Sequence, residues 1–379
     1  MTYLEIRDLY DEPSRSPRYY MKRSTTIAIA IVVVAIIAVA GVMASGALQR
    51  DGIKYLDVPP AQHEEYLQSS LIDGAVSWEP YASECVHSGA AKVLIQSGEV
   101  WPDHPCCVLV ANSNSEIGDD VMARVVKAHV EATNWILETI ENKDSNPENY
   151  NALLNVASEF SDVSEEVVEM ALQNMKLTYD ITPETISYLE TFTNEYLDAG
   201  LISKNRVQNV DEFVNSLVDL SYLERIDEVE PGAELTPVKI GYLQGDLHQL
   251  ARVVASNIEL PIDGNEEGRS LFMRYGINAE VPSGMPGGGY SNGGAVMVGH
   301  GNWDVAYLGS PPVILNVANQ GHPVKILALA NTEGSALIVA GDRTIEDLNG
   351  LTIGQPGTSS IQYLLLVAIA EEYGYRLTR

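Results

Sequence analysis

Residues 303–320, WDVAYLGSPPVILNVANQ, carry the clearest fold signal in this chain. Residues 303–307 predict a strand, because they form a short and mostly apolar run. Residues 311–320 predict a helix that follows it after a glycine and a serine. A strand followed at once by a helix is the building unit of α/β proteins.

The same alternation extends from this stretch in both directions. It predicts a doubly wound α/β protein with two lobes, in which one block of successive helices spans 119–217. An acidic segment at 224–237 lacks periodicity and is predicted to be a linker. The predicted strands are 53–56, 74–77, 108–110, 238–242, 278–281, 324–330, 336–340 and 352–354, and further helices are predicted at 247–257, 344–348 and 359–373.

Bulk properties exclude some classes of function. The chain has 379 residues, enough for two domains, and its net charge of −29 makes nucleic acid an unfavourable partner. The three cysteines are too few for a disulfide framework, and no metal-ligand spacing is visible among the Cys and His residues. Cys106 and Cys107 stand at the start of an apolar run and are predicted to be small buried side chains that alternate across a strand.

An uninterrupted apolar segment at 27–44 is long enough for a membrane-spanning helix. Lys22 and Arg23 precede it, so the positive-inside rule predicts a cytoplasmic tail at 1–26 and an anchor at 27–48. The rest of the chain would then lie outside the cytoplasmic membrane. A cleaved signal peptide is the alternative, because small residues stand near the end of the run.

The second half of the chain resembles the nitrate/sulfonate/taurine class of ABC substrate-binding proteins, which have the type II periplasmic-binding-protein fold. The resemblance lies in the order and spacing of several short segments, none of which is specific alone. These segments are KIGY at 239–242, WDVAYLGSPP at 303–312, PVKI at 323–326, NTEGS at 331–335, IEDLNGL at 345–351 and QPGTSS at 355–360.

The first half resembles the part of the same family that normally comes last. DGAVSWEPY at 73–81 is similar to a segment that usually follows the helix predicted here at 359–373. The resemblance therefore implies a circularly permuted order, although misassembled sequence data would look the same. Permutation predicts one continuous lobe at 112–340 and a second lobe split between 51–105 and 341–379, hinged at strands 108–111 and 337–340.

The resemblance implies a solute-binding component of an importer, with ABC permease and ATPase subunits as partners, no cofactor and no catalysis. Its ligand would be a small polar or anionic solute held between the lobes. Trp78 and Tyr81 are expected to stack on it, while helix-start amides near Ser310 and Thr358 bind an anionic group. The expected ligand-binding residues are Gln244, Asp246, His248, Gly309, Ser310, Asn331, Glu333, Thr358, Ser359, Ser360, Trp78 and Tyr81.

Simpler interpretations and other functions remain open from sequence. Ser310, Thr358 and Ser359 are also ordinary helix caps, and Trp78 is also a plausible core residue. An enzyme of the same fold, such as a thiamine-pyrimidine synthase relative, is the alternative function, although no nucleophile with a base beside it is visible. A sensor ectodomain is disfavoured, because residues 1–26 are too short for a signalling domain.

Overall fold

The computed structural model describes residues 52–232, 234–265 and 268–379. The predicted cytoplasmic tail and membrane anchor lie outside these described residues. Within the described ranges, none of the helices combines the length and the apolar character needed to cross a bilayer. The fold is mixed α/β with several sheets, which is consistent with a periplasmic-binding-protein-like architecture.

Six strands from the two ends of the described chain form one sheet in the order β13-β1-β12-β2-β11-β3. Its central strands β2 and β11 are fully buried, as expected for strands covered on both faces. The strands are β1 (Ile53–Asp57), β2 (Gly74–Trp78), β3 (Lys92–Gln96), β11 (Ser335–Val339), β12 (Thr352–Gln355) and β13 (Leu377–Thr378).

Five strands form a second sheet in the order β7-β6-β8-β4-β9, and β5 pairs with β10 in a small ribbon. Antiparallel β4 lies between β8 and β9, which brings its first residue, Cys107, opposite Gly309 at the end of β8. The strands are β4 (Cys107–Asn112), β5 (Met175–Leu177), β6 (Thr236–Tyr242), β7 (Ile277–Glu280), β8 (Val305–Gly309), β9 (Val324–Leu329) and β10 (Asn331–Glu333).

Helices cover both sheets, and several begin where the sequence predicts. The side chains of Ser164 and Thr182 accept the expected capping hydrogen bonds at their helix starts. The helices are His63–Gln68, Tyr81–His87, Ser97–Val100, Asp119–Glu141, Pro147–Ser161, Glu165–Asn174, Pro183–Asp198, Val210–Leu217, Ser221–Glu224, Leu250–Ser256, Leu271–Arg274, Gly293–His300, Ser310–Gln320 and Ile361–Glu372. Short 3-10 turns occupy Pro60–Gln62, Ile226–Glu228, Leu247–Gln249 and Ile345–Leu348.

Strand β1 pairs in parallel with β12, with Tyr55 opposite Ile353. This is the pairing expected between the two distant segments of the chain. The start of β1 also contacts the strand that follows the last helix, because Ile53 N donates to Arg376 O at 2.7 Å. The first and last described segments are therefore neighbours in one sheet.

The position of strand β11 differs from the prediction, which assigned residues up to 340 to the continuous lobe. It pairs along its whole length with β2 and β3, so it belongs to the six-stranded sheet and does not pass between the two sheets. The chain instead changes sheets between β3 and β4 and again between β9 and β11. Both crossings lie near residues that line a cavity between the two sheets.

Candidate functional site

A small cavity of about 40 Å³ lies between the two sheets. Trp78 and Ser359 line it from the six-stranded side, while Cys107, Asp246 and His248 line it from the five-stranded side. The volume holds only a few water-sized groups. The interlobe cleft is therefore nearly closed in this structure.

The two adjacent cysteines are held in place by backbone hydrogen bonds. Cys107 N donates to Asn331 Oδ1 at 3.0 Å, and Cys106 N donates to Asn331 O at 3.2 Å. Cys106 O accepts from Ser310 N at 2.8 Å. Because Cys106 precedes the first residue of β4, the alternation expected of adjacent strand residues does not separate the two thiols. Both sulfur atoms lie within 4.8 Å of a nitrogen of His248.

His248 lies in the buried turn that follows β6, two residues after Asp246. Its Nε2 contacts Gly334 O at 2.8 Å, while its Nδ1 lies 3.3 Å from Cys106 Sγ and 4.0 Å from Cys107 Sγ. Asp246 Oδ1 lies 3.5 Å from the same Nδ1 and accepts the His248 backbone N–H at 3.0 Å. The imidazole is thus fixed between a carbonyl on one side and two thiols on the other.

The surroundings of the two cysteines shift their pKa values in opposite directions. A hydrogen bond from Cys107 and the charge of His248 lower the pKa of Cys106 to about 6, while the same hydrogen bond and burial raise the pKa of Cys107. Burial acts to lower the pKa of His248, but the charges of Cys106 and Asp246 outweigh it and raise this pKa to about 9. The lowered pKa of Cys106 and the raised pKa of His248 both favour a thiolate beside an imidazolium over two neutral groups.

Trp78 provides an unsatisfied donor at the cavity wall. Its side chain is only 7% exposed, and its Nε1 has no hydrogen-bond partner. Tyr81 packs edge-on against it at 6.2 Å between ring centroids, and the Tyr81 hydroxyl lies close to Gly245 and Gly288 on the opposite side of the cleft. A buried indole N–H normally finds an acceptor, so this atom indicates a ligand position.

Two of the helix-start amides that were expected to bind an anion already donate hydrogen bonds within the protein. Ser310 N donates to Cys106 O, and Ser359 N donates to Asn292 Oδ1 at 3.3 Å. Ser359 Oγ also donates to Asn292 Oδ1, at 2.8 Å. The Ser310 amide is therefore not free, because the residue before β4 supplies a backbone acceptor there. At Ser359, the side-chain oxygen of Asn292 accepts the hydrogen bonds that an anionic ligand was expected to accept.

The structure brings six of the twelve predicted site residues to the cavity. These are Trp78, Asp246, His248, Gly309, Ser359 and Ser360. Ser360 also caps the helix Ile361–Glu372 through Tyr363 N. Tyr81 packs against Trp78 but does not line the cavity.

Five further predicted site residues lie outside the cavity, and most of them contact other parts of the protein. Ser310 and Asn331 are fully buried, Asn331 holding the cysteine backbone, and Thr358 is half-buried outside the cavity. Gln244 is exposed and its backbone pairs with the glycine-rich loop. Glu333 forms an ion pair with Lys176 at 2.7 Å. None of these side chains lines the cavity.

Sequence reasoning missed Cys106, Cys107, Asn292 and Gln362, all of which line the cavity. The absence of metal-ligand spacing was also misleading, since Cys106, Cys107 and His248 form a group able to hold a metal ion. His248 is 141 positions from Cys107. One feature could have indicated that the cysteines belong to the site. If β4 runs antiparallel to β8, its first residue lies at the edge of the sheet where β8 ends.

Comparison with known proteins gives one match. The model of the NMT1-like family matches residues 20–149, about a third of the chain. No curated protein and no solved structure matches. The matched stretch contains β1 to β4, and therefore Trp78, Cys106 and Cys107 of the cavity wall. Over residues 20–149 the chain is thus similar to the NMT1-like family, which supports the broad family that the sequence resembles.

Proposed function

We propose that this chain is the extracytoplasmic solute-binding component of an ABC importer, and not an enzyme. One observation carries the proposal. A nearly closed cavity lies between the two β-sheets, and it is lined by buried Trp78, whose indole N–H has no hydrogen-bond partner. Binding proteins of this architecture close two lobes around a ligand. The similarity to the NMT1-like family supports the same function.

The finer assignments belong to the same proposal. We place the chain in the nitrate/sulfonate/taurine class, with a circularly permuted order, and the pairing of β1 with β12 supports that order. The apolar segment at 27–44 would anchor it in the cytoplasmic membrane, with the α/β part outside. Permease and ATPase subunits would be its partners.

The cavity suggests how a small solute is held. Trp78 Nε1 supplies one donor, and the ring of Trp78 supplies a flat apolar wall. The Ser359 hydroxyl and amide become available to an anionic head group once Asn292 moves away. A solute larger than a few water molecules requires the lobes to separate first, since only about 40 Å³ is open.

A ligand screen by thermal shift on the full-length chain tests this function, because tight binding raises the unfolding temperature. Nitrate, taurine, alkanesulfonates, aromatic acids and pyrimidines form the panel. We expect at least one compound to raise the unfolding temperature of the parent chain and to do so less in Trp78→Ala. Failure of the whole panel, or an equal shift in Trp78→Ala, would contradict a solute site at this cavity.

An enzyme of the same fold is the second candidate, and one contact favours it. Cys106 Sγ and His248 Nδ1 lie 3.3 Å apart, which is the spacing of an activated thiol nucleophile and its base. Sequence alone did not reveal this pair. Recovery of the bound compound after long incubation separates the two functions: a binding protein returns it unchanged, whereas an enzyme converts it.

A further inference from the structure

Cys106, Cys107 and His248 bring three metal-binding atoms together in the described part of the chain, all within 4.8 Å of one another. Cys106 Sγ is 3.3 Å and Cys107 Sγ is 4.0 Å from His248 Nδ1. In a tetrahedral zinc site with ordinary Zn–S and Zn–N bonds, donor atoms lie roughly 3.5 to 3.8 Å apart. We propose that these three residues form a binding site for a thiophilic metal ion such as Zn²⁺.

The surroundings of the three donors fit such a site. His248 directs Nδ1 at the thiols, while its Nε2 is placed to donate to Gly334 O at 2.8 Å. Metal-binding histidines usually hold their second ring nitrogen in this way, which fixes the ring and its tautomer. Asn331 fixes the backbone N–H of both cysteines, so the site is assembled before an ion arrives.

The donor set selects the kind of ion. Two thiolates and one imidazole favour zinc, cobalt or cadmium over magnesium or calcium, which prefer oxygen. Asp246 adds negative charge at 3.6 Å from Cys107 Sγ and 3.5 Å from His248 Nδ1. This negative charge beside the three donors favours a bound cation.

Three protein donors leave one position of a tetrahedral ion free. All three ligands line the cavity that Trp78 also lines, so the free position faces that space. The unpartnered Trp78 Nε1 would donate to a water or a solute oxygen bound there. The metal site stands on its own geometry and does not require the proposed transport function.

Cobalt titration of the reduced full-length chain tests the site, because thiolate ligands give Co²⁺ a near-ultraviolet charge-transfer band. We expect one equivalent of Co²⁺ to produce this band and Zn²⁺ to displace it. Cys106→Ser, Cys107→Ser and His248→Gln should each weaken Co²⁺ binding by more than about 100-fold. Cys85→Ser is the matched control, because Cys85 is also a buried free cysteine but lies outside the cavity.

Circular dichroism without metal shows which variants remain folded, and those variants decide the outcome. The proposal is overturned if the parent chain gives no thiolate band, or if folded Cys106→Ser and Cys107→Ser both retain it. It is also overturned if Cys85→Ser loses the band while folded. If no cysteine variant folds, cadmium protection of the parent chain decides: alkylation of Cys106 and Cys107 must slow while Cys85 is unaffected. Solute binding measured in metal-free buffer reports separately on the transport proposal.

Discussion

Gln355 Nε2 donates a hydrogen bond to Asp57 Oδ1 at 2.5 Å, across 298 positions of sequence. The contact joins the ends of β12 and β1, which run in parallel side by side. Strand β12 also pairs with β2, so it lies between two strands from the other end of the described chain. Each sheet is therefore built from both halves of the chain.

This interleaving predicts that a single cut between the halves does not separate them. A protease recognition sequence inserted after exposed Glu230 would divide the chain into a fragment with β1 to β5 and one with β6 to β13. We expect the cut protein to elute as one species, because β4 remains between β8 and β9. The fragments should separate only in denaturant. Separation in native buffer, with the uncut insertion variant still folded, would argue against the interleaved sheets.

Trp78 is predicted to contribute directly to ligand affinity. Trp78→Ala removes an aromatic wall and a buried donor, and each is worth on the order of 1–3 kcal/mol, about tenfold to a hundredfold in affinity. Trp78→Phe should recover the part that comes from the ring. Calorimetric titration with a ligand found by screening measures both, and circular dichroism controls for folding. Equal affinity in all three proteins would make Trp78 a packing residue only.

Asn292 is predicted to compete with an anionic ligand. Its Oδ1 accepts from both Ser359 N and Ser359 Oγ, so Asn292→Ala should free these donors and tighten the binding of an anion severalfold. Ser310→Ala serves as the comparison, because Ser310 is buried outside the cavity and should leave affinity unchanged. Weaker anion binding in Asn292→Ala would show that Asn292 itself holds the ligand.

Three buried histidines predict loss of stability in mild acid. Burial lowers the pKa of His63, of His104 and of His129 to about 4, below the ordinary value of 6.5. As the pH falls from 6.5 toward 4, the unfolded chain takes up protons that the folded chain refuses, so the free energy of unfolding decreases. The loss is on the order of 2 kcal/mol per histidine between pH 7 and pH 5.

Denaturant unfolding at several pH values checks this effect against a matched variant. His129→Gln keeps a side-chain N–H that is able to reach Leu329 O, the acceptor 2.7 Å from His129 Nε2, but it cannot be protonated. Its unfolding free energy should fall less steeply below pH 6.5 than that of the parent chain. His300→Gln, at an exposed position, should retain the parent slope. Parallel pH curves for His129→Gln and the parent would rule out a contribution from His129.

Local sequence patterns predicted the fold better than the site. The strand at Val305–Gly309 depends on neighbouring residues, and it lies within two residues of the predicted bounds 303–307. The thiol-imidazole contact depends on His248, which meets the cysteines only because β6 and β4 both pair with β8. Local pattern carries no information about such a meeting. For the same reason Ser310, at a predicted helix start, was assigned to the ligand, whereas its amide donates to Cys106 O.

The position of β12 between β1 and β2 bears on the order in which the protein acquires its shape during synthesis. Strands β1 and β2 leave the ribosome hundreds of residues before β12, yet neither pairs with the other without it. The six-stranded sheet therefore cannot be completed before β12 has been made, whereas β4 gains its first partner when β8 is made. Until then the edges of β1 and β2 are unpaired, and unpaired strand edges favour aggregation.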